Sequence, residues 1–318
     1  MHTSRMFFTW LIAATITAGF ACTAFGLNVV ATTTIVADIV RAVAGEDADV
    51  VTLLPANADP HAFQATPKDV VALSEADVVF LSGADLEANL ADILATTSGL
   101  IVDLSTRVAL RESASIEHHH EHGDEDHEHE DHEHEPEWHS HGAYDPHVWF
   151  DPSNVMIWTS EIERTLNRLD PENASDYASR AATYRRALAD LDLWIWEQVS
   201  RIPNERRNLV TDHLAFGYFA ARYGLRQVGT IFPGTSTLSE PSAQELAELI
   251  DTITELDVPA IFVGTTVSPA LAETVASDTG TEMVVLYTGA LSESTGPAAT
   301  YIDFMRFNTE AIVQGLLR

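Results

Sequence analysis

Two series of short apolar segments alternate with helical segments along this chain, and a long helical stretch separates them. Strands are expected at 28–34, 49–55, 78–82 and 100–105 in the first series and at 208–212, 226–230, 260–264 and 282–287 in the second. Apolar strands that alternate with helices are typical of a parallel sheet covered on both faces. The pattern therefore predicts two α/β lobes, each built on a parallel sheet.

The stretch between the two series has the features of one long helix. After Pro171 it contains no glycine or proline before Pro203. At 1.5 Å per residue such a helix would be about 45 Å long, which is more than one small lobe needs. We expect it to join the lobes rigidly and to leave a cleft between them. The predicted division is a first lobe over 27–152, linking helices over 153–204 and a second lobe over 205–318.

Shorter helices are predicted between the strands, at 35–45, 66–76, 86–96, 215–223, 242–256, 269–277 and 300–317. Two helices have a recognisable start. Thr66 can cap a helix that begins at Pro67, and Asp151 can cap one that begins at Pro152, because proline fits the first helical turn.

The first 26 residues have the pattern of a secretory signal peptide, with Arg5 ahead of an apolar run that ends near Phe20. The run is shorter than the ~20 residues that a spanning helix needs, which argues against an uncleaved anchor. We expect export to the periplasm. Cys22, the single cysteine, lacks the preceding leucine typical of a lipidated cysteine, so lipid anchoring is the weaker alternative. Cleavage near 24–26 would leave only nitrogen and oxygen donors for a metal.

The charge of the chain limits its partners. A formal net charge of −31, from 17 basic and 48 acidic residues, argues against nucleic acid, because a phosphate backbone requires a basic surface. A field of this sign instead favours the approach of divalent cations.

Histidine is distributed very unevenly. Of the 14 histidines, His2 belongs to the predicted signal peptide, and only His61, His147 and His213 lie elsewhere outside one acidic tract. The others lie within that tract: His118, His119, His120, His122, His127, His129, His132, His134, His139 and His141. The tract occupies a predicted loop over 112–142 without apolar periodicity, which we expect to be mobile. It should bind several zinc ions weakly and concentrate zinc locally, although a merely solvated run of charges is the alternative.

The three isolated histidines suggest a metal site. His61 and His213 each follow a predicted strand, where ligands of open α/β sheets gather, whereas His147 has to be carried there by its loop. Any one of them alone could be a structural residue with a local hydrogen-bond partner. Together they favour a zinc site, because neutral imidazole is a common zinc ligand and three of them with one oxygen complete a tetrahedron.

Five segments together resemble a known family: ADPHAFQATPKDV, DPHVWFDP, TDHLAFGYFA, EPSAQELAELI and TYIDFMRFN. They are similar to the metal-binding lipoprotein and zinc-uptake family, the cluster A-I solute-binding proteins of bacterial ABC importers for zinc and manganese. The resemblance covers about 28–318 and implies two lobes joined by a rigid helix, with the metal in the cleft. The family's histidine ligands correspond to His61, His147 and His213.

That resemblance also implies a monomer that captures Zn²⁺ and delivers it to the membrane permease of an ABC importer, and it suggests a relation to cell adhesion. Whether a periplasmic metallochaperone loads the protein stays open. A zinc buffer or chaperone without a transporter is an alternative.

The fourth ligand is where this sequence departs from the manganese members of that family. Those members place a carboxylate at the position of His213 and another in a loop where this chain has Gly289. Three imidazoles favour Zn²⁺ over the harder Mn²⁺, although a manganese-specific member is the alternative. We expect water as the fourth ligand. Asp59, Asp212 and Glu240 are expected to lie behind the ligands or on the surface, with one carboxylate orienting an imidazole.

A zinc hydrolase is the alternative from another class, because three histidines and one open position also describe a catalytic zinc. Such a site usually has a dedicated general base, as in His-Glu-x-x-His, and no such motif occurs here. We therefore expect a binding protein and no catalytic residues.

Overall fold

The structure is a computed structural model, and it describes residues 26–113 and 143–318. All but the last residue of the predicted signal peptide and all the histidines of the acidic tract lie outside these residues. In the part of the chain that is described, no helix is both long and apolar enough to cross a membrane.

The first lobe is a parallel four-stranded sheet with the order β2-β1-β3-β4. Its strands are β1 (Leu27–Ala31), β2 (Ala48–Thr52), β3 (Val78–Leu81) and β4 (Leu100–Asp103). Its helices are α1 (Thr34–Ala44), α2 (Pro67–Glu75) and the single turn α3 (Ala91–Leu94). Val29 of the central β1 pairs with Val50 and Val78 on its two sides. Helices α1 and α2 both contact β1, whereas Val51 of β2 and Ile101 of β4 are exposed.

The second lobe repeats this arrangement with the order β6-β5-β7-β8. Its strands are β5 (Asn208–Thr211), β6 (Arg226–Thr230), β7 (Ala260–Gly264) and β8 (Glu282–Leu286). Its helices are α6 (Gly217–Tyr223), α7 (Ala243–Glu255), α8 (Ala270–Thr279) and α9 (Tyr301–Leu316). The predicted fold class of two parallel-sheet α/β lobes is confirmed.

Two long helices connect the lobes. Helix α4 spans Pro152–Leu169, and α5 spans Ala174–Val199. With 26 residues, α5 is about 39 Å long. It packs against α4, against α1 of the first lobe and against α9 of the second. The prediction of a long helix joining the lobes is confirmed, although a short 3₁₀ turn at Pro171–Asn173 precedes it.

Both predicted helix caps are present. The Asp151 side chain accepts a hydrogen bond from the backbone of Ser153, and Pro152 occupies the first turn of α4. Thr66 is the N-cap of α2, and Pro67 begins that helix.

The helix predicted over 86–96 is wrong in its length. The chain there forms a 3₁₀ turn at Ala88–Leu90 and the one-turn α3. At the predicted start, the Glu87 carboxylate accepts hydrogen bonds from the backbone N–H groups of Ser82 and Gly83, so the chain turns back on itself there.

One apolar core extends through both lobes. It includes Val29 and Phe80 of the first sheet and Leu209 and Phe262 of the second, all at most 1% exposed. The lobes are therefore joined by buried side chains as well as by the linking helices.

The segment just before α4 packs against the second lobe. The centroid of the Phe150 ring lies 4.3 Å from the ring centroid of Phe216 and 5.5 Å from that of Phe304. Trp149 donates its indole hydrogen bond to the carbonyl of Thr288, and its own carbonyl accepts one from the Tyr301 hydroxyl.

The described ends of the predicted loop over 112–142 are paired with each other. Glu112 and Tyr144 form an antiparallel bridge, and the backbone of Asp145 donates to the carbonyl of Arg111. Glu112, the first residue of the predicted loop, therefore lies close to the segment that carries His147.

Candidate metal centre

Three histidines from three different segments meet at the cleft between the lobes. His61 lies in the β2–α2 loop (53–66), His147 directly precedes the 3₁₀ turn that leads into α4, and His213 follows β5 by two residues. The Nε2 atom of His147 lies 3.3 Å from Nε2 of His61 and 3.2 Å from Nε2 of His213. In the described residues these side chains form a group that offers one ligand atom each, all within 4.8 Å of one another.

A buried carboxylate orients the ring of His147. Oδ1 of Asp145 accepts hydrogen bonds from Nδ1 of His147 at 2.9 Å and from its backbone N–H at 3.0 Å. Both residues are buried, and His147 is 0% exposed. Since Nδ1 carries the proton in this contact, Nε2 of the neutral ring presents its lone pair to the centre of the group.

His213 is oriented in the same way by its neighbour Asp212. Oδ1 of Asp212 lies 2.8 Å from Nδ1 of His213 and accepts the backbone N–H of that residue, while Oδ2 accepts the backbone N–H of Gly264. Asp212 and His213 are 1% and 2% exposed. Each oxygen of this carboxylate therefore accepts at least one hydrogen bond that fixes its position behind the His213 ring.

His61 is held differently. Its backbone N–H donates to Oδ1 of Asp59 at 2.9 Å, and Oδ2 of Asp59 accepts the hydroxyl of Thr237 from the second lobe at 2.5 Å. Unlike the other two histidines, His61 is only partly buried.

Burial and charge give the three rings different pKa values. Burial, together with the nearby rings of His147 and His213, holds the pKa of His61 well below its usual 6.5. Burial also lowers the pKa of His147, despite its contact with Asp145. In His213 burial acts in the same direction, but the contact with Asp212 outweighs it and raises the pKa. Two rings are therefore ready to act as neutral ligands, and the third holds a proton more firmly.

A cavity of about 450 Å³ reaches His61 between the lobes. One side is lined by 84–86, 88–89, Tyr144 and Pro146, and the other by Thr235, Ser236 and Leu238 of the second lobe. His61 is thus the ring on the solvent side of the group.

The acidic residues expected near the ligands have different positions. Asp59 accepts a hydrogen bond from the backbone of His61, and Asp212 accepts one from the ring of His213, whereas Glu240 is exposed. Gly289 lies against the loop of His61, and a Cβ atom there would lie 2.5 Å from Cδ of Pro60.

Asp145 and Thr237 are the contributors that sequence reasoning missed. A signal for Asp145 was present, because Asp-Pro-His occurs at Asp59–His61 and again at Asp145–His147. The Thr237 contact joins residues 178 positions apart and has no local sequence signal.

Fold and site together define a two-lobed protein in which three histidines that could hold a metal ion meet in the interlobe cleft. The chain matches the family described as zinc-uptake complex component A, periplasmic, over residues 29–315, and it belongs to that family. It is therefore a metal-binding substrate-binding protein of the ABC importer class.

Relatives of this chain are named for three different metals. The manganese-binding lipoprotein MntA of Halalkalibacterium halodurans is 32% identical over 296 residues, which are 92% of this chain and 89% of MntA. The iron-binding protein YfeA of Yersinia pestis is 30% identical over 298 residues, 92% of this chain and 87% of YfeA. The structure of the periplasmic zinc-binding protein TroA of Treponema pallidum superposes with a TM-score of 0.79 at 27% identity, covering 91% of this chain and 99% of TroA. A relation to cell adhesion finds no support in these names.

Proposed function

We propose that this protein captures Zn²⁺ outside the cytoplasm through Nε2 of His61, His147 and His213 and delivers it to the permease of an ABC importer. The observation that carries the proposal is the spacing of the three Nε2 atoms. Zinc–nitrogen bonds of about 2.0–2.1 Å in tetrahedral geometry put two ligand nitrogens roughly 3.3 Å apart. The two Nε2 separations at His147 are 3.3 and 3.2 Å.

The donor set favours zinc over manganese. Three imidazole nitrogens suit the borderline Zn²⁺, whereas Mn²⁺ prefers carboxylate oxygen. The neighbouring carboxylates accept hydrogen bonds from the backbone of His61 and from Nδ1 of His147 and of His213, which supports a role in orienting the rings. Gly289 has no side chain to offer, and water from the adjoining cavity is the proposed fourth ligand. Because relatives are named for manganese, iron and zinc, selectivity has to be measured.

Export is part of the proposal. The predicted signal peptide over 1–26 would place the protein in the periplasm, and relatives named as lipoproteins leave anchoring through Cys22 as the alternative. We propose that the protein acts as a monomer, without nucleic acid as a partner. Membership of a family of transport components supports a binding function over a zinc hydrolase.

The proposed ligands can be tested by replacing each histidine with alanine in the mature protein. Competition against a chromophoric chelator should show loss of the tight zinc site in His61→Ala, His147→Ala and His213→Ala, while the exposed control Glu240→Ala keeps it. Parallel titrations with Mn²⁺ should give much weaker binding to the wild type. Full zinc affinity in any of the three variants would remove that histidine from the site, and tighter binding of Mn²⁺ than of Zn²⁺ would overturn the metal assignment.

A further inference from the structure

The three histidines differ in the part of the molecule that holds them. His213 belongs to the second lobe, and the segment that carries His147 packs on the second lobe through Trp149 and Phe150. His61 alone is carried by a loop of the first lobe. A metal bound by all three therefore joins this loop to a preformed pair of ligands.

Three contacts hold the β2–α2 loop against the second lobe, and residues 57–60 of the loop make all of them. The backbone N–H of Asn57 donates to the carbonyl of Leu291 at 3.4 Å, and Pro60 packs on Gly289. The third contact is the hydrogen bond from the Thr237 hydroxyl to Oδ2 of Asp59. It is the shortest of the three and the one with a charged partner, which makes a hydrogen bond stronger.

The Asp59 carboxylate connects this contact directly to a proposed ligand. One of its oxygens accepts the N–H of His61, and the other accepts the hydroxyl of Thr237. Displacement of Asp59 from Thr237 would therefore move the backbone of His61, the ring next to the solvent-filled side of the cleft. His147 and His213 have their own buried carboxylates and do not depend on this contact.

We propose that Thr237 is a latch: its hydrogen bond to Asp59 holds His61 in the site and so sets how long the metal is retained. This inference rests on the proposed function, because it assumes that His61 is a ligand. Thr237 is a positioning residue, since it acts on the metal only through Asp59 and His61. The latch has to release before His61 can leave the metal, whereas capture can begin at the other two histidines. Loss of the latch should therefore raise the dissociation rate more than it changes the association rate.

The test compares Thr237→Val, which replaces the hydroxyl by a methyl group, with Thr237→Ser, which keeps the hydroxyl. The mature full chain is loaded with half an equivalent of Zn²⁺, so that the tightest site fills first, and is mixed with an excess of chelator in a stopped-flow instrument. We expect zinc to dissociate about 10-fold faster from Thr237→Val, as for loss of a hydrogen bond to a charged group. Thr237→Ser should stay within about twofold of the wild type. Thr254→Val makes the same chemical change in α7, where the hydroxyl bonds only its own helix, and serves as the control.

The outcomes separate the latch from the proposed function. If the wild type holds no tight zinc, the proposed function fails. If the wild type holds zinc and Thr237→Val releases it at the wild-type rate, only the latch is refuted. A slower association with an unchanged dissociation rate would also refute the latch. The latch is refuted as well if the thermal unfolding midpoint of metal-free Thr237→Val falls well below the midpoints of the wild type and Thr254→Val. Faster release that Thr237→Ser restores, with unfolding unchanged, supports the latch.

Discussion

Zinc binding by this protein should release fewer protons between pH 7.5 and 5.5 than three ordinary histidines would, because the three rings differ in their pKa values. The pKa of His213 is raised by Asp212, so this ring holds a proton at pH values where an ordinary histidine is neutral. The pKa values of His61 and His147 are lowered, so these rings are already neutral. Because zinc binds only the neutral ring, a falling pH weakens binding first through His213, beginning above pH 6.5.

The expected size of the effect follows from the number of protons. Three ordinary histidines with a pKa of about 6.5 would lower zinc affinity roughly 1,000-fold between pH 7.5 and 5.5. One proton on His213 lowers it at most about 100-fold over the same two units, or about 2.7 kcal/mol. The loss should steepen only at lower pH, where His61 and His147 begin to take up protons.

The measurement is a competition titration against a chelator of known pH dependence, with calorimetry in two buffers of different ionisation enthalpy to count the protons released. A variant without Glu117–Ser140 should be used, because the histidines of the tract would also bind zinc and protons. Asp212→Asn is the informative variant, since loss of the carboxylate should lower the pKa of His213 and flatten the curve between pH 7.5 and 6.5. A slope of three protons in this range, or an unchanged curve in Asp212→Asn, would refute the reasoning.

Further predictions concern the surroundings of the site. Asp145→Asn should weaken zinc binding about 10- to 100-fold, because an uncharged amide is a poorer partner for the His147 ring; chelator competition at pH 7.5 measures this, and an unchanged affinity would contradict it. Gly289→Ala should also weaken zinc binding, since its Cβ would displace Pro60 and with it the neighbouring His61. Chelator competition measures this, and an unchanged zinc affinity in Gly289→Ala would show that Pro60 can move without cost. Gly289→Asp adds the same Cβ together with a carboxylate. Deletion of Glu117–Ser140 should lower the total zinc stoichiometry in equilibrium dialysis and leave one tight site; loss of the tight site would mean that the tract supplies a primary ligand.

Much of the fold is predictable because its signals are local. The first and last residues of β6 and β7 coincide with those of the predicted segments. The predicted caps at Thr66 and Asp151 mark the starts of α2 and α4. The segment over 86–96 was less predictable, since the Glu87 side chain accepts the backbone N–H groups of Ser82 and Gly83, and helical periodicity does not indicate this contact.

The site divides in the same way. The three histidines could be selected from the sequence because they are isolated and follow strands or motifs. Their supporting contacts could be predicted only where the partner is adjacent, as Asp212 is to His213. The hydrogen bond from Thr237 to Asp59 and the packing of Pro60 on Gly289 both join loops from different lobes. Only the packing of the two lobes brings these loops together. Local patterns therefore select the three histidines that the fold brings together, but not the contacts that hold them.

Helix α5 has a consequence for how an empty and a loaded molecule can be told apart. It buries Tyr177, Leu188 and Ile195 in a core that both lobes share. Swinging the lobes widely apart would expose that core, and even 400 Å² of apolar surface would cost on the order of 10 kcal/mol. The free energy of binding the ion is then used almost entirely to hold the ion, and the relative position of the two lobes changes little. A receptor that accepts only the loaded form would have to touch the rim of the cleft itself, where a displacement of a few ångströms in one loop is the available signal.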